Sequence, residues 1–231
     1  MDQNNYELEW IKQPPKSSRS QAMTPDEYEK EKQFVLGELA DTKFSTVGLS
    51  HEILKDWVQP FVDDKEVMLA SLVNNSYIAN EASARLKADK EFMIEAVQSC
   101  SGIFKEATAE LRDDIEVVQQ AAWAESSSFQ YASDRIRSTP ALIAICCADS
   151  SRPLNAIHPS VRDNPSTFLE LLREIEPHHK PSAVLNYASE EIQGLVGNAD
   201  PVKFLQAHLL HEKLNNACSP KVEVHKPKMK I

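Results

Sequence analysis

Hydrophobic and polar positions recur along this chain every 25 residues. The aligned rows start at Asp64, Asp89, Asp114, Thr139 and Asn164. Each starting residue has a short side-chain oxygen that can accept hydrogen bonds from the free N–H groups of a first helical turn. Prolines follow Thr139 and Asn164, at a first helical position where a missing N–H costs nothing. The rows therefore predict helices that begin at the same point of each repeat.

Each row then carries two apolar stripes. The first has the spacing i, i+1, i+4, i+5, as in Phe92, Met93, Ala96 and Val97, and is typical of one face of a helix. The second has the spacing i, i+3, i+4, i+7, which runs in the third row from Phe129 to Ile136. This second spacing predicts another helix of about 10 residues, antiparallel to the first across a tight polar turn.

Helices of that length are marginal alone, so each helix pair needs its neighbours to cover its apolar stripe. The sequence therefore predicts an all-α fold, an α-solenoid or superhelix of stacked short antiparallel helix pairs with a 25-residue period. The fifth row departs from this register. It carries extra residues between Glu176 and Pro181, which we expect to form a longer loop with His178 and His179 at its tip.

The pattern divides the chain into four parts. A polar, proline-containing N-terminal segment, 1–24, is predicted to be disordered, and 25–62 is predicted to be a leading helical unit or cap. The helical-repeat domain covers 63–218, and a basic flexible tail covers 219–231.

The rows resemble a known repeat family, domain of unknown function 4116. The resemblance is carried by Asp89-Lys90-Glu91-Phe92 with Ala96-Val97, and by Tyr131-Ala132-Ser133-Asp134-Arg135-Ile136-Arg137. The family implies helical repeats and no assigned catalytic residues. Similar repeats occur in large proteins of protists and algae and in effectors that intracellular bacteria inject into host cells. The resemblance therefore implies a translocated effector, or a regulator of one.

Composition narrows the function classes. The formal net charge of −10 predicts repulsion from phosphate backbones, so we expect no nucleic-acid partner. The longest apolar run, 141–148, is too short to span a bilayer. Cys146 and Cys147 occupy apolar columns, and no cysteine pair has zinc-ligand spacing. These features, with the missing signal-peptide pattern, predict a cytosolic protein that requires no metal or cofactor.

The favoured hypothesis is a non-enzymatic module that binds another protein, host or bacterial, and regulates or inhibits a partner enzyme. Its surface is predicted to use second-helix side chains that face away from the core, together with residues of the fifth row. The predicted binding residues are Glu81, Arg85, Glu106, Glu110, Gln130, Tyr131, Arg135, His178, His179 and Tyr187.

Two alternatives stay open. An enzyme with an unrecognised site would use His178, His179 or His158, and would require those rings to converge with a carboxylate or a metal. A nucleic-acid-binding repeat protein is disfavoured by the acidic repeats. His158 itself falls in the Ser/Thr column of the second stripe, so we expect a structural role for it.

Overall fold

The computed structural model describes residues 23–40 and 51–218, and every regular element in those ranges is helical. The all-α prediction is confirmed. The predicted tail, residues 1–22 and residues 41–50 of the predicted leading unit lie outside the described ranges. The α-helices are α1 Pro25–Ala40, α2 His51–Val58, α3 Lys65–Asn74, α4 Ala84–Lys87, α5 Lys90–Ser99, α6 Ala109–Arg112, α7 Ile115–Ala124, α8 Asp134–Ser138, α9 Pro140–Cys146, α10 Pro159–Arg162, α11 Pro165–Ile175, α12 Pro181–Val184, α13 Glu190–Val196 and α14 Pro201–Cys218.

The first helix of each unit begins where the rows predict. Helices α3, α5, α7, α9 and α11 start at residues 65, 90, 115, 140 and 165. The side chains of Asp64, Asp89, Asp114 and Asn164 accept hydrogen bonds from first-turn N–H groups. Thr139 makes no such bond, although Pro140 occupies the first helical position after it. Four of the five predicted side-chain caps are therefore confirmed.

These first helices form one layer of the molecule. They contact one another in chain order, from α3 through α5, α7, α9 and α11 to α14. Their inner faces are buried at the columns that the sequence predicts, for example Phe92, Met93, Ala96 and Val97 in α5. Burial of each large side chain contributes about 1.5–3 kcal/mol, which is how neighbouring units stabilise helices of only about three turns.

The prediction of one continuous second helix is wrong. Each of the first three units instead has a six-residue 3₁₀ helix, an extended alanine and an α-helix of four or five residues. The 3₁₀ helices are Ser76–Glu81, Ser101–Glu106 and Ser126–Tyr131. Because a 3₁₀ turn places residues i and i+3 on one face, it reproduces the spacing that we attributed to a longer helix.

A serine or threonine, or His158 in the fourth unit, precedes a short α-helix in each unit. Ser133 accepts a hydrogen bond at its Oγ from the N–H of Ile136 (3.2 Å). Its own N–H donates to the carbonyl of Arg112 in the preceding unit (2.8 Å). Equivalent bonds join Ser83 to Val62, Thr108 to Lys87 and His158 to Arg137. The residues expected on a continuous apolar stripe therefore link consecutive units through the backbone, and all of them except Thr108 also cap a short helix with the side chain.

The fifth unit accommodates its extra residues next to α11. The N–H groups of His178 and His179 both donate to the carbonyl of Ile175 (2.9 Å each), so the insertion forms a turn on the end of that helix. Pro181 then begins α12. Ser189 caps α13, and its N–H donates to the carbonyl of Arg162 (3.0 Å). The link between units survives the insertion.

Candidate functional site

A cleft opens in the second layer, between the short helix α6 and the segment that leads into α8. Its volume is about 370 Å³. Residues from two consecutive units meet there because Ser133 is hydrogen-bonded to the carbonyl of Arg112. The side chains that give the cleft its chemistry are Ala109, Arg112, Gln130, Tyr131, Asp134 and Arg137.

Arg137 forms one wall, and its charge is satisfied within the protein. Its Nη2 donates to Asp134 Oδ1 at 2.8 Å, within the same short helix. Its Nη1 donates to the carbonyl of Ala156 in the next unit at 3.2 Å. Only its buried Nε is without an acceptor among the described residues.

Arg112 differs from Arg137. Its side chain is half-buried, and its Nε is buried with no hydrogen-bond partner in the described part of the chain. None of the described carboxylates lies within ion-pair distance of its guanidinium, in contrast to the other cations at this position of the repeat. Lys87 pairs with Glu106 (3.7 Å), and Arg162 pairs with Asp163 (2.7 Å).

The repeat explains why Arg112 has no anion. Asp134, the partner of Arg137, has Ala109 as its counterpart one repeat earlier, and Ala109 is exposed in the cleft. Glu106, the partner of Lys87, has Tyr131 as its counterpart one repeat later. These two positions are therefore neutral around Arg112. A third position, Asp113, is the counterpart of the Asp163 that pairs with Arg162, but its carboxylate is bound by Ser133 and Arg135 instead.

The predicted binding residues Arg85 and Arg135 act first as links between units. The Nε of Arg135 donates to Asp113 Oδ1 (2.9 Å), and its Nη2 donates to the Asp113 carbonyl (2.7 Å). Arg85 makes the same contacts with Asp63. Hydrogen bonds from Ser133 and then Arg135 hold the pKa of the Asp113 carboxyl below its usual value. Arg85 and Arg135 are exposed, so their outer edges stay accessible.

The remaining predicted residues of the repeats lie around the cleft or beside it. Gln130 and Tyr131 line it, and the Nε2 of Gln130 donates to the carbonyl of Ser127 (3.0 Å). Glu110 follows Ala109 directly and is exposed. Glu81 pairs with Lys55 (2.8 Å), while Glu106 faces Lys87. None of these side chains is buried.

The structure does not bring the three predicted residues of the fifth unit to this cleft. The Nε2 of His179 lies 2.6 Å from the carbonyl of Cys147, so that nitrogen carries the proton and donates. The hydroxyl of Tyr187 lies 3.3 Å from that of Ser151. His178 is exposed beside them. His179 and Tyr187 therefore bind the fifth unit to the fourth.

The other candidate reactive groups have structural contacts. His158 caps α10, because its Nδ1 accepts from the N–H of Ser160 (3.2 Å). Burial raises the pKa of the Cys146 thiol to about 12, and burial, followed by the neighbouring Cys146, raises that of Cys147 further. Within the ranges 23–40 and 51–218, no three His, Cys, Asp or Glu side chains come close enough to hold a metal ion.

Comparison with known families supports the repeat assignment. The model of a domain of unknown function (DUF4116) matches this chain twice, over residues 64–112 and 89–137. Residues 64–137 therefore match the DUF4116 model, as the resemblance of the rows predicts. The two matches start one repeat apart, in agreement with the helix starts at Lys65 and Lys90. Curated proteins and solved structures give no match to the chain.

The cleft lies within the repeats that match DUF4116, and its central residue, Arg112, is not among the binding residues predicted from the sequence. Cations recur near the ends of the second segments, at Lys87, Arg112 and Arg137. A positive charge there complements a helix dipole, so its presence alone does not indicate a binding site. A comparison of columns would have singled out Arg112, because Ala109 and Tyr131 replace the acids found one repeat away. What the sequence could not provide was the burial of the Arg112 guanidinium.

None of the helices in the described ranges combines the length and apolar character that a bilayer crossing needs. The expectation of no membrane span agrees with this finding over those residues.

Proposed function

We propose that this chain is a protein-binding module that recognises its partner through the second layer of its repeats, and that it regulates or inhibits a partner enzyme. The observation that carries the proposal is the cleft at Arg112. This arginine has no anion among the residues that the structure describes, and it faces an open surface rather than an enclosed pocket. Arginine and tyrosine are the side chains most often found at the centre of protein interfaces.

The side chains on the surface around the cleft are held in fixed positions, which supports the same function. Exposed polar side chains are held in place by bonds between units, as in the pairs Arg85–Asp63 and Arg135–Asp113. A surface that is ordered before binding loses less conformational entropy on association, which favours affinity. The net charge of −10 disfavours nucleic acid as the partner.

The test is a quantitative capture experiment with the tagged full chain. The substitutions Glu110→Lys and Tyr131→Ala change exposed side chains at the cleft without touching the Asp–Arg links. The control is Glu174→Lys, a charge reversal at an exposed position on α11. We expect the cleft variants to reduce capture of a specific protein at least about tenfold and the control to leave it unchanged. Equal capture by all variants would contradict the proposal.

The cellular setting is a separate part of the proposal. We propose that the module acts in the cytosol, either of the producing cell or of a host cell into which it is translocated. Buried free thiols at Cys100, Cys146 and Cys147 suit a reducing compartment, and the effector role follows from the family resemblance. A reporter fusion that is active only in host cytosol tests translocation, and a signal confined to the producing cell would contradict it.

A further inference from the structure

An equivalent arginine in the neighbouring unit shows which kind of group the guanidinium of Arg112 can bind. In the next unit, Arg137 occupies the same position of the repeat. Its Nη2 forms an ion pair with Asp134 Oδ1 at 2.8 Å. The residue equivalent to Asp134 is Ala109, which lines the cleft three residues before Arg112. The space that one carboxylate fills in the third unit is thus open to solvent in the second.

We propose that this cleft binds the carboxylate of a single Asp or Glu side chain of the partner protein, through the guanidinium of Arg112. The inference rests on the proposed protein-binding function and specifies its chemistry. Arginine binds a carboxylate through two parallel N–H···O bonds, which provide direction as well as attraction. Gln130 and Tyr131 flank the cleft and contact the chain that carries the acidic side chain.

The charges in the cleft select one carboxylate rather than a phosphate. Arg112 and Arg137 contribute two positive charges, and Asp134 contributes one negative charge. The remaining single positive charge is balanced by one carboxylate, whereas a phosphate carries about −1.5 to −2 at neutral pH and leaves an excess of negative charge. A half-buried site disfavours such an uncompensated charge.

The surroundings of the cleft define the residues beside that acidic side chain. Glu110 is exposed immediately next to Ala109. Glu106, which pairs with Lys87, ends the 3₁₀ helix that precedes the extended Ala107. These carboxylates repel further acids and attract cations. The partner segment is therefore one acidic residue with basic or neutral neighbours.

Side-chain NMR of the full chain tests the site directly. The Nε–H of Arg112 is buried, so it exchanges slowly with water and is identified by its loss in Arg112→Lys. The probe is a blocked peptide with one Glu flanked by lysines. Its comparison peptides carry Gln or phosphoserine in place of that Glu. We expect a saturable shift of the Arg112 signal with the Glu peptide and none with the Gln peptide.

The decisive variant is Ala109→Asp, which supplies Arg112 with the internal partner that Arg137 already has. We expect it to weaken binding of the Glu peptide at least about tenfold, with no fall in melting midpoint, because an acid in the first turn of a helix is favourable. Ala84→Asp is the matched control, since it adds the same charge one repeat earlier, beside Lys87. It should leave peptide binding unchanged. Arg112→Gln, which should abolish binding, provides a second variant if Ala109→Asp disturbs folding.

Several results would overturn the inference. They are no saturable shift with the Glu peptide, an equal shift with the Gln peptide, unchanged affinity in Ala109→Asp, or tighter binding of the phosphoserine peptide. The outcome is separable from that of the proposed function. Loss of partner capture in Tyr131→Ala but not in Ala109→Asp would retain the function and exclude the carboxylate site. Peptide binding at Arg112, with partner capture unaffected by every cleft variant, would retain the site and exclude the function.

Discussion

The two layers of this protein share one period but differ in how each is stabilised. The first layer consists of α-helices such as α5 and α7, each of 10 residues with an aspartate cap at its start. The second layer consists of 3₁₀ helices and α-helices of four or five residues, too short to form alone. The second layer is ordered by bonds to the preceding unit, as between Ser133 and Arg112. A regular period therefore does not imply that both halves of a repeat are autonomous helices.

The two layers also differ in the ion pairs that their side chains form, and the candidate site lies in only one of them. At the N-terminal ends of the first helices, acidic side chains form ion pairs with lysines of the preceding unit. Lys90, for example, pairs with Asp114 and Glu116 at 2.8 and 2.9 Å. In the second layer, Arg112 forms no ion pair with the described residues, whereas Lys87, Arg137 and Arg162 at the same position of the repeat each do. The layer with fewer regular hydrogen bonds is the one that presents the candidate site.

The largest expected loss of stability comes from replacing a buried phenylalanine by alanine, which can be done in both layers of the same unit. Phe92 lies in α5 and Phe104 in the following 3₁₀ helix, and both are fully buried. We expect Phe92→Ala and Phe104→Ala each to lower the free energy of unfolding by about 3–5 kcal/mol, because each leaves a cavity in the shared core. Denaturant unfolding of the two variants measures this. A loss below about 1 kcal/mol at Phe104 alone would show that the second layer contributes little to the core.

The next effect concerns the small alanine between the 3₁₀ helix and the short α-helix. Ala107 is buried and extended, and its N–H donates to the carbonyl of Phe104 (3.2 Å). We expect Ala107→Phe to destabilise the protein by about 1–3 kcal/mol through overpacking. Ala84→Phe, at an exposed position, should change stability by no more than about 0.5 kcal/mol. An unchanged melting midpoint for Ala107→Phe would refute the close approach of units at this column.

Substitution of the capping residues allows the helix starts of the two layers to be compared. Asp114 accepts from the N–H groups of Glu116 and Val117 (3.0 and 3.3 Å), whereas Ser133 caps α8 and also donates to Asp113. We expect Asp114→Ala and Ser133→Ala each to cost about 0.5–2 kcal/mol, measured by thermal unfolding. Ser133→Asp is the control, because it keeps a capping oxygen but places a second carboxylate beside Asp113. Full stability in Ser133→Ala would show that the backbone bond to Arg112 alone orders α8.

The smallest effect is the pH dependence of the links between units. Hydrogen bonds from Ser133 and Arg135 lower the pKa of Asp113 below its usual 3.8. A lowered folded-state pKa means that the link contributes its full stability above about pH 5, and that this contribution is lost as pH falls through the folded-state value. We expect the melting temperature of the wild type to decrease as the pH is lowered below about 4. The melting temperature of Asp113→Asn should decrease less over the same range. Identical slopes for the two proteins would show that Asp113 does not contribute to acid sensitivity.

The candidate site was only partly predictable. Gln130 and Tyr131 were expected on an accessible surface because they lie off the apolar stripe, and both line the cleft. His179 and Tyr187 were expected at a binding surface but contact the fourth unit instead. Both side chains lie in the row that carries the insertion. His179 belongs to the inserted residues themselves, and the equivalence of Tyr187 to Tyr131 does not show that its hydroxyl reaches Ser151. Arg112 was not among the predicted binding residues, although it lines the cleft.

The sequence by itself determined the all-α class, the starting points of the first helices and the columns that are buried. These follow from local capping and from the period of apolar residues, which depend on near neighbours in the chain. Only the tertiary structure decided that the second stripe breaks into a 3₁₀ helix and a short α-helix, and that Arg112 lacks an anion. Both outcomes depend on hydrogen bonds and charges contributed by the neighbouring unit, which a local pattern does not contain.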